Sequence, residues 1–71
     1  MTNYYAYYQI DTQTVYAAAT EIADLDNDLA ANNNINDINK ESLNVVEITE
    51  NDYNRIINGA VSLKDGYEKI N

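Results

Sequence analysis

Asp24-Leu25-Asp26-Asn27-Asp28 places carboxylates at alternate positions, as a calcium loop does at its first, third and fifth ligands. A calcium loop then needs glycine at its sixth position for the sharp turn and a bidentate glutamate at its twelfth. Those positions hold Leu29 and Ile35, so no metal site is expected and a solvated helix face is the better reading. With no histidine and no cysteine, Ser–His and Cys–His nucleophiles are excluded, and Ser42 and Ser62 have no recognisable activating group. The only glycines, Gly59 and Gly66, make no phosphate-cradling loop. Paired carboxylates can hydrolyse glycosides, but nothing marks out a pair, and a domain this small has little room to enclose a sugar cleft. The expectation is a protein that is not an enzyme and carries no cofactor.

Charge narrows the partners. Twelve acidic side chains stand against four lysines and arginines, a formal net charge of −8 in 71 residues. Lys40, Arg55, Lys64 and Lys69 cannot form a phosphate-tracking patch, so direct contact with nucleic acid or an anionic membrane is not expected. A basic protein surface is the better electrostatic match, although such charge also serves solubility. No apolar run approaches the ~20 residues that span a bilayer. Met1-Thr2-Asn3-Tyr4 lacks the basic and apolar regions of a signal peptide, so the expected location is a cytoplasm. A chain this short is marginal alone without disulfides or a structural metal, which favours association with another protein or with itself.

The clearest organisation lies between Leu43 and Gly59. Leu43 to Ile48 is rich in β-branched residues and reads as a strand. Thr49 then reads as an N-cap whose hydroxyl accepts from the amide of Asn51 or Asp52. Glu50 and Asp52 set negative charge in the first turn. Tyr53, Ile56, Ile57 and Ala60 follow at helical spacing, and Asn58-Gly59 offers a C-cap.

Upstream, Tyr4-Tyr5-Ala6-Tyr7-Tyr8-Gln9-Ile10 reads as a strand. Tyr4, Ala6, Tyr8 and Ile10 would share one face, while Tyr5, Tyr7 and Gln9 face the other way. One face can cover the core and leave the other as a tyrosine-rich contact surface. Asp11 to Thr14 is a polar turn without the Asn-Gly or Asp-Gly of a tight hairpin. Val15, Ala18, Ile22, Leu25 and Leu29 sit at helical spacing, and pattern and alanine content alone favour an amphipathic helix over most of Val15 to Ala31. The competing reading makes Val15 to Ala19 the second strand of a hairpin and begins the helix after Thr20. Asn32 to Lys40 is dense in asparagine, which competes with regular structure, and reads as a loop pinned by Ile35 and Ile38.

After Gly59, two readings remain open. Tyr53, Ile56, Ala60, Leu63, Tyr67 and Ile70 fit a heptad seam, whereas Lys64-Asp65-Gly66 suits a turn between short strands. The expected fold, on the hairpin reading that the resemblance described next favours over the helical pattern, is α+β, a small antiparallel sheet with strands near 4–10, 15–19 and 44–48 and helices near 20–31 and 50–58. The whole chain, 1–71, forms one small domain with the asparagine-rich loop near 32–40. The alternative is an all-α bundle with helices near 12–31 and 50–70.

Val46-Glu47-Ile48-Thr49-Glu50-Asn51-Asp52-Tyr53, leading to Ile56-Ile57-Asn58-Gly59, resembles a strand–helix unit of small bacteriophage proteins from the tail and tail-fibre region. Tyr7-Tyr8-Gln9-Ile10-Asp11-Thr12 followed by Val15 is similar to the opening hairpin of such proteins. Asn51 stands where that pattern usually has an acidic residue, and the alanine-rich stretch and asparagine-rich loop depart from it. The resemblance implies a hairpin and a strand–helix unit, and no functional residues.

Three functions fit these features. The first is a non-catalytic phage structural or assembly protein that works through protein–protein contacts with a virion component. The second is a small acidic inhibitor, of anti-CRISPR type, that mimics nucleic acid and blocks the basic channel of a host defence protein. The third is a self-assembling helical module, a homo-oligomer. The location is then the host cytoplasm or the virion. Candidate partner-binding residues are Tyr5, Tyr7, Asp24, Asp26, Asp28, Asp37, Glu47 and Glu50.

Overall fold

The computed structural model describes residues 2–32 and 40–70. They form a four-stranded antiparallel sheet in the order β2-β1-β3-β4, with two α-helices. The strands are β1 (Tyr4–Gln9), β2 (Thr14–Ala19), β3 (Asn44–Ile48) and β4 (Tyr67–Lys69). Helix α1 (Leu25–Asn32) follows a 3-10 turn at Ile22–Asp24, and α2 (Glu50–Ile57) follows β3 directly. A second 3-10 turn, Lys40–Ser42, leads into β3. The asparagine-rich loop, with Ile35, Ile38 and Asp37, lies outside the described residues.

Tyrosine alternation makes β1 the centre of two cores. Tyr4, Ala6 and Tyr8 face α2, where Val15, Ala18, Val46 and Ile48 join Tyr53, Ile56 and Leu63. The Tyr4 and Tyr53 rings lie 4.7 Å apart between centroids, within the range of favourable aromatic pairs. Tyr5 and Tyr7 face α1, where Ala17, Ala19, Leu25, Leu29 and Leu43 complete the second core. Both faces of β1 are therefore covered, and Tyr7 is buried instead of being free for contact.

The helical spacing upstream of Leu25 arises within a strand, as the hairpin reading requires. Tyr7 pairs with Ala17 but Tyr8 pairs with Val15, so Tyr16 is an extra residue in β2. This β-bulge puts Val15 and Ala18 on one face although three positions separate them. Leu25 and Leu29 then belong to the true helix and are fully buried. The hairpin reading is the correct one. The all-α alternative fails here and again at Gly59.

At Gly59 the chain leaves α2 through a Schellman motif. Ala60 donates its amide to Arg55 O and Gly59 donates to Ile56 O, both at 2.9 Å, with Gly59 at φ +109°. That geometry satisfies the last carbonyls and stops the helix, so no helix runs on to Ile70. Residues 60–66 return beside β2, where Val15 donates to Val61 O at 2.7 Å, and then reach β4.

Asp52 fixes this return. Its side chain is fully buried. Oδ1 accepts from Lys64 N and Arg55 Nη1, both at 2.9 Å, and Oδ2 accepts from Asp65 N at 3.0 Å. Burial alone pushes this carboxyl up, but the two amides and the Arg55 guanidinium together outweigh it and hold it below the usual carboxylate range. Arg55 Nη1 also donates to Ser62 O at 3.1 Å. Thr49 accepts from Asp52 N at 3.1 Å, which is the cap its sequence position suggests.

Candidate protein-binding surface

The register lines up one end of the sheet. Tyr5 pairs with Ala19, Tyr4 with Ile48, and Ile48 with Tyr67. Chain leaving β2 and β3, and chain entering β4, therefore meets at that end. It brings Glu21, Glu47, Glu50, Asp65 and Glu68 there, together with Lys64 beside Asp65, all exposed. Arg55 points inward to Asp52, and Lys69 sits further along β4.

Glu47 and Glu68 are directly opposite neighbours on β3 and β4, with Tyr5 opposite Glu47 on the other side. Like charges directly opposite in a sheet are destabilising. A depression of about 240 Å³ opens beside them, lined by Glu47, Thr49, Asp65, Tyr67 and Glu68 among others. Asp65 Oδ2 is anchored there by Asn51 Nδ2 at 2.8 Å and Thr49 Oγ1 at 3.2 Å.

Of the exposed large apolar side chains among the described residues, Ile10 lies at the β1–β2 turn and Ile22 in the first 3-10 turn, while the other four lie near the two edges of the sheet. Tyr67 and Ile70 lie on and just after β4, 40% and 46% exposed. Tyr67 is braced by the Tyr8 ring at 4.7 Å. Burial, and then the neighbouring Tyr67, push the Tyr8 phenol up from its ordinary range. On the β2 side, Ile57 and Val61 are about 60% exposed. They line an open groove of about 490 Å³ together with Tyr16, Ala17, Asp28 and Tyr53.

The other expected contact residues divide. Asp24 and Glu50 are exposed, and Tyr5 is half-buried with its hydroxyl accepting from Asn3 Nδ2 at 3.3 Å. Asp26 accepts from the Tyr7 hydroxyl at 2.6 Å, and Asp28 accepts from Ala18 N at 2.9 Å. Each of these two carboxylates is engaged within the fold. Asp37 lies outside the described residues. Sequence reasoning missed Asp65, Glu68, Tyr67 and Ile70 as surface neighbours of Glu47. The available signal was the Lys64-Asp65-Gly66 turn, which leads into β4.

No helix of the described residues is long and apolar enough to cross a membrane. Compared with family models, curated proteins and solved structures, the chain matches none of them.

Proposed function

We propose that this chain is a non-catalytic structural or assembly protein of a bacteriophage, acting through protein–protein contacts in the host cytoplasm or the virion. The observation that carries the reading is the placement of exposed apolar side chains near both sheet edges, Tyr67 and Ile70 on one side and Ile57 and Val61 on the other. Sheet edges with exposed apolar residues are templates for contact with another chain. The resemblance of Val46–Gly59 to tail-region strand–helix units supports the phage setting.

A second reading, an acidic inhibitor that occupies a basic nucleic-acid channel, is favoured by one specific observation. Glu21, Glu47, Glu50, Asp65 and Glu68 are presented at one end of the sheet, an arrangement that complements a basic surface.

Affinity capture of the tagged chain from infected and uninfected host cells, at low and high salt, separates the two. The structural reading expects virion or tail proteins at both salts. The inhibitor reading expects a basic nucleic-acid-binding host protein that is lost at high salt and displaced by DNA or RNA. Recovery of the chain alone would overturn both.

A further inference from the structure

We infer that the outer edge of β4 is a strand-addition site for an extended segment of a partner protein, one with a basic residue flanked by an acidic residue and, two positions away, an apolar one. This deepens the structural reading above and rests on it.

The backbone argument comes from the register. Ile70 donates its amide to Val45 O at 3.0 Å, which makes Val45 and Ile70 a hydrogen-bonded pair. Antiparallel ladders alternate, so Glu47 and Glu68 form the next such pair. The N–H and C=O groups of Tyr67 and Lys69 consequently point away from β3, along the side where no further strand follows among the described residues. All three residues of β4 are exposed. β2, at the opposite edge, is partly occupied, because Val15 N is taken by Val61 O and Ala18 N by Asp28. An incoming strand would bond to Tyr67 and Lys69 and leave Glu68 in a non-hydrogen-bonded position, where facing side chains approach most closely.

Charge then selects the occupant. The residue facing Glu68 lies next to that carboxylate, with Glu47 one strand further in, so lysine or arginine is favoured there. The residue facing Lys69 is favoured as acidic, and the one facing Ile70 as apolar. A second copy of this chain is disfavoured. Antiparallel β4–β4 pairing centred on Glu68 would set Glu47 and Glu68 of one copy in line with Glu68 and Glu47 of the other.

The test uses two capped peptides of identical composition, STIEKVTS and STIKEVTS, titrated into the isotopically labelled full chain and followed by amide NMR. In the antiparallel register with isoleucine facing Ile70, the first sets glutamate against Lys69 and lysine against Glu68. The second sets like against like. The expected result is preference for the first by about tenfold, with shifts and slowed hydrogen exchange at the Tyr67 and Lys69 amides. The double variant Glu68→Lys with Lys69→Glu should exchange the preference. Lys69→Pro removes an outward amide, a change edge strands tolerate, and should abolish binding without loss of the folded spectrum.

Equal affinity for the two peptides, no binding of either, or shifts confined to the Ile57–Val61 groove would each overturn the proposal. So would self-association through the β4 amides. Capture of virion proteins that survives Lys69→Pro would overturn this site and leave the structural function standing. Peptide binding as expected, with no virion protein captured, would do the reverse.

Discussion

Tyr7 and Asp26 are joined by a hydrogen bond of 2.6 Å across 19 positions of sequence. It fastens α1 to the central strand beneath it. Both residues are candidates for partner contact by type and position, and the fold uses them first on each other. A charge-assisted bond in a part-buried setting contributes more than a neutral one. Tyr7→Phe should therefore cost about 1.5–3 kcal/mol in urea unfolding while leaving the acidic end of the sheet unchanged.

Asp52 organises the chain's return from α2 to β4. Asp52→Ala removes a buried acceptor of two amides and a guanidinium, and should cost about 2–4 kcal/mol, measured by chemical denaturation. Its folded pKa lies below its unfolded value. Its stabilisation is therefore complete above about pH 4 and is lost as pH falls through the folded value. Wild-type stability should drop steeply in that acid range, and Asp52→Asn should flatten the drop.

Tyr8 carries the opposite sign. Its phenol is pushed up by burial and by Tyr67, so between pH 10 and the raised value the folded chain holds a proton that the unfolded chain has lost. Stability should fall as pH rises above about 10. Ultraviolet titration of the seven tyrosines should show a late ionisation that Tyr8→Phe removes.

Glu47 and Glu68 face each other across β3 and β4, and like charges directly opposite in a sheet are destabilising. Glu68→Thr should raise stability by about 0.2–1 kcal/mol at low ionic strength. The gain should shrink as salt is added. A variant that gains stability and loses partner capture would show the trade-off expected where function keeps an unfavourable pair.

Gln13 closes the β1–β2 hairpin at φ 56°, a conformation that costs a side-chain-bearing residue about 1–2 kcal/mol. Gln13→Gly should raise the thermal midpoint by a few degrees. No change would mean that the turn relaxes in solution.

The parts of the fold that could be read from sequence are those whose signals are local. β3, the Thr49 cap, α2 and the Gly59 stop each depend on neighbours within a few residues, and all appear where expected. α1 begins later than its apolar spacing suggests, because the bulge at Tyr16 imitates helical periodicity within a strand. β4 has no buried alternation for the eye to follow, since all of its residues are exposed. Asp52 reads as a first-turn charge. Its role as the anchor of residues 60–66 arises only when a loop twelve positions downstream folds back on it. The acidic end of the sheet is legible residue by residue, but its clustering is set by strand register.

Because β1 is the shared strand, pairing with β2 on one side and β3 on the other, the order of synthesis has a physical consequence. A nascent chain can close the β1–β2 hairpin and dock α1 early, from local contacts alone. Tyr4, Ala6 and Tyr8 then remain bare, and one edge of β1 stays open, until Val46, Ile48 and α2 emerge to cover them. That non-local closure is expected to come last, and chains arrested before β3 should bind hydrophobic dyes and aggregate where the full chain does not.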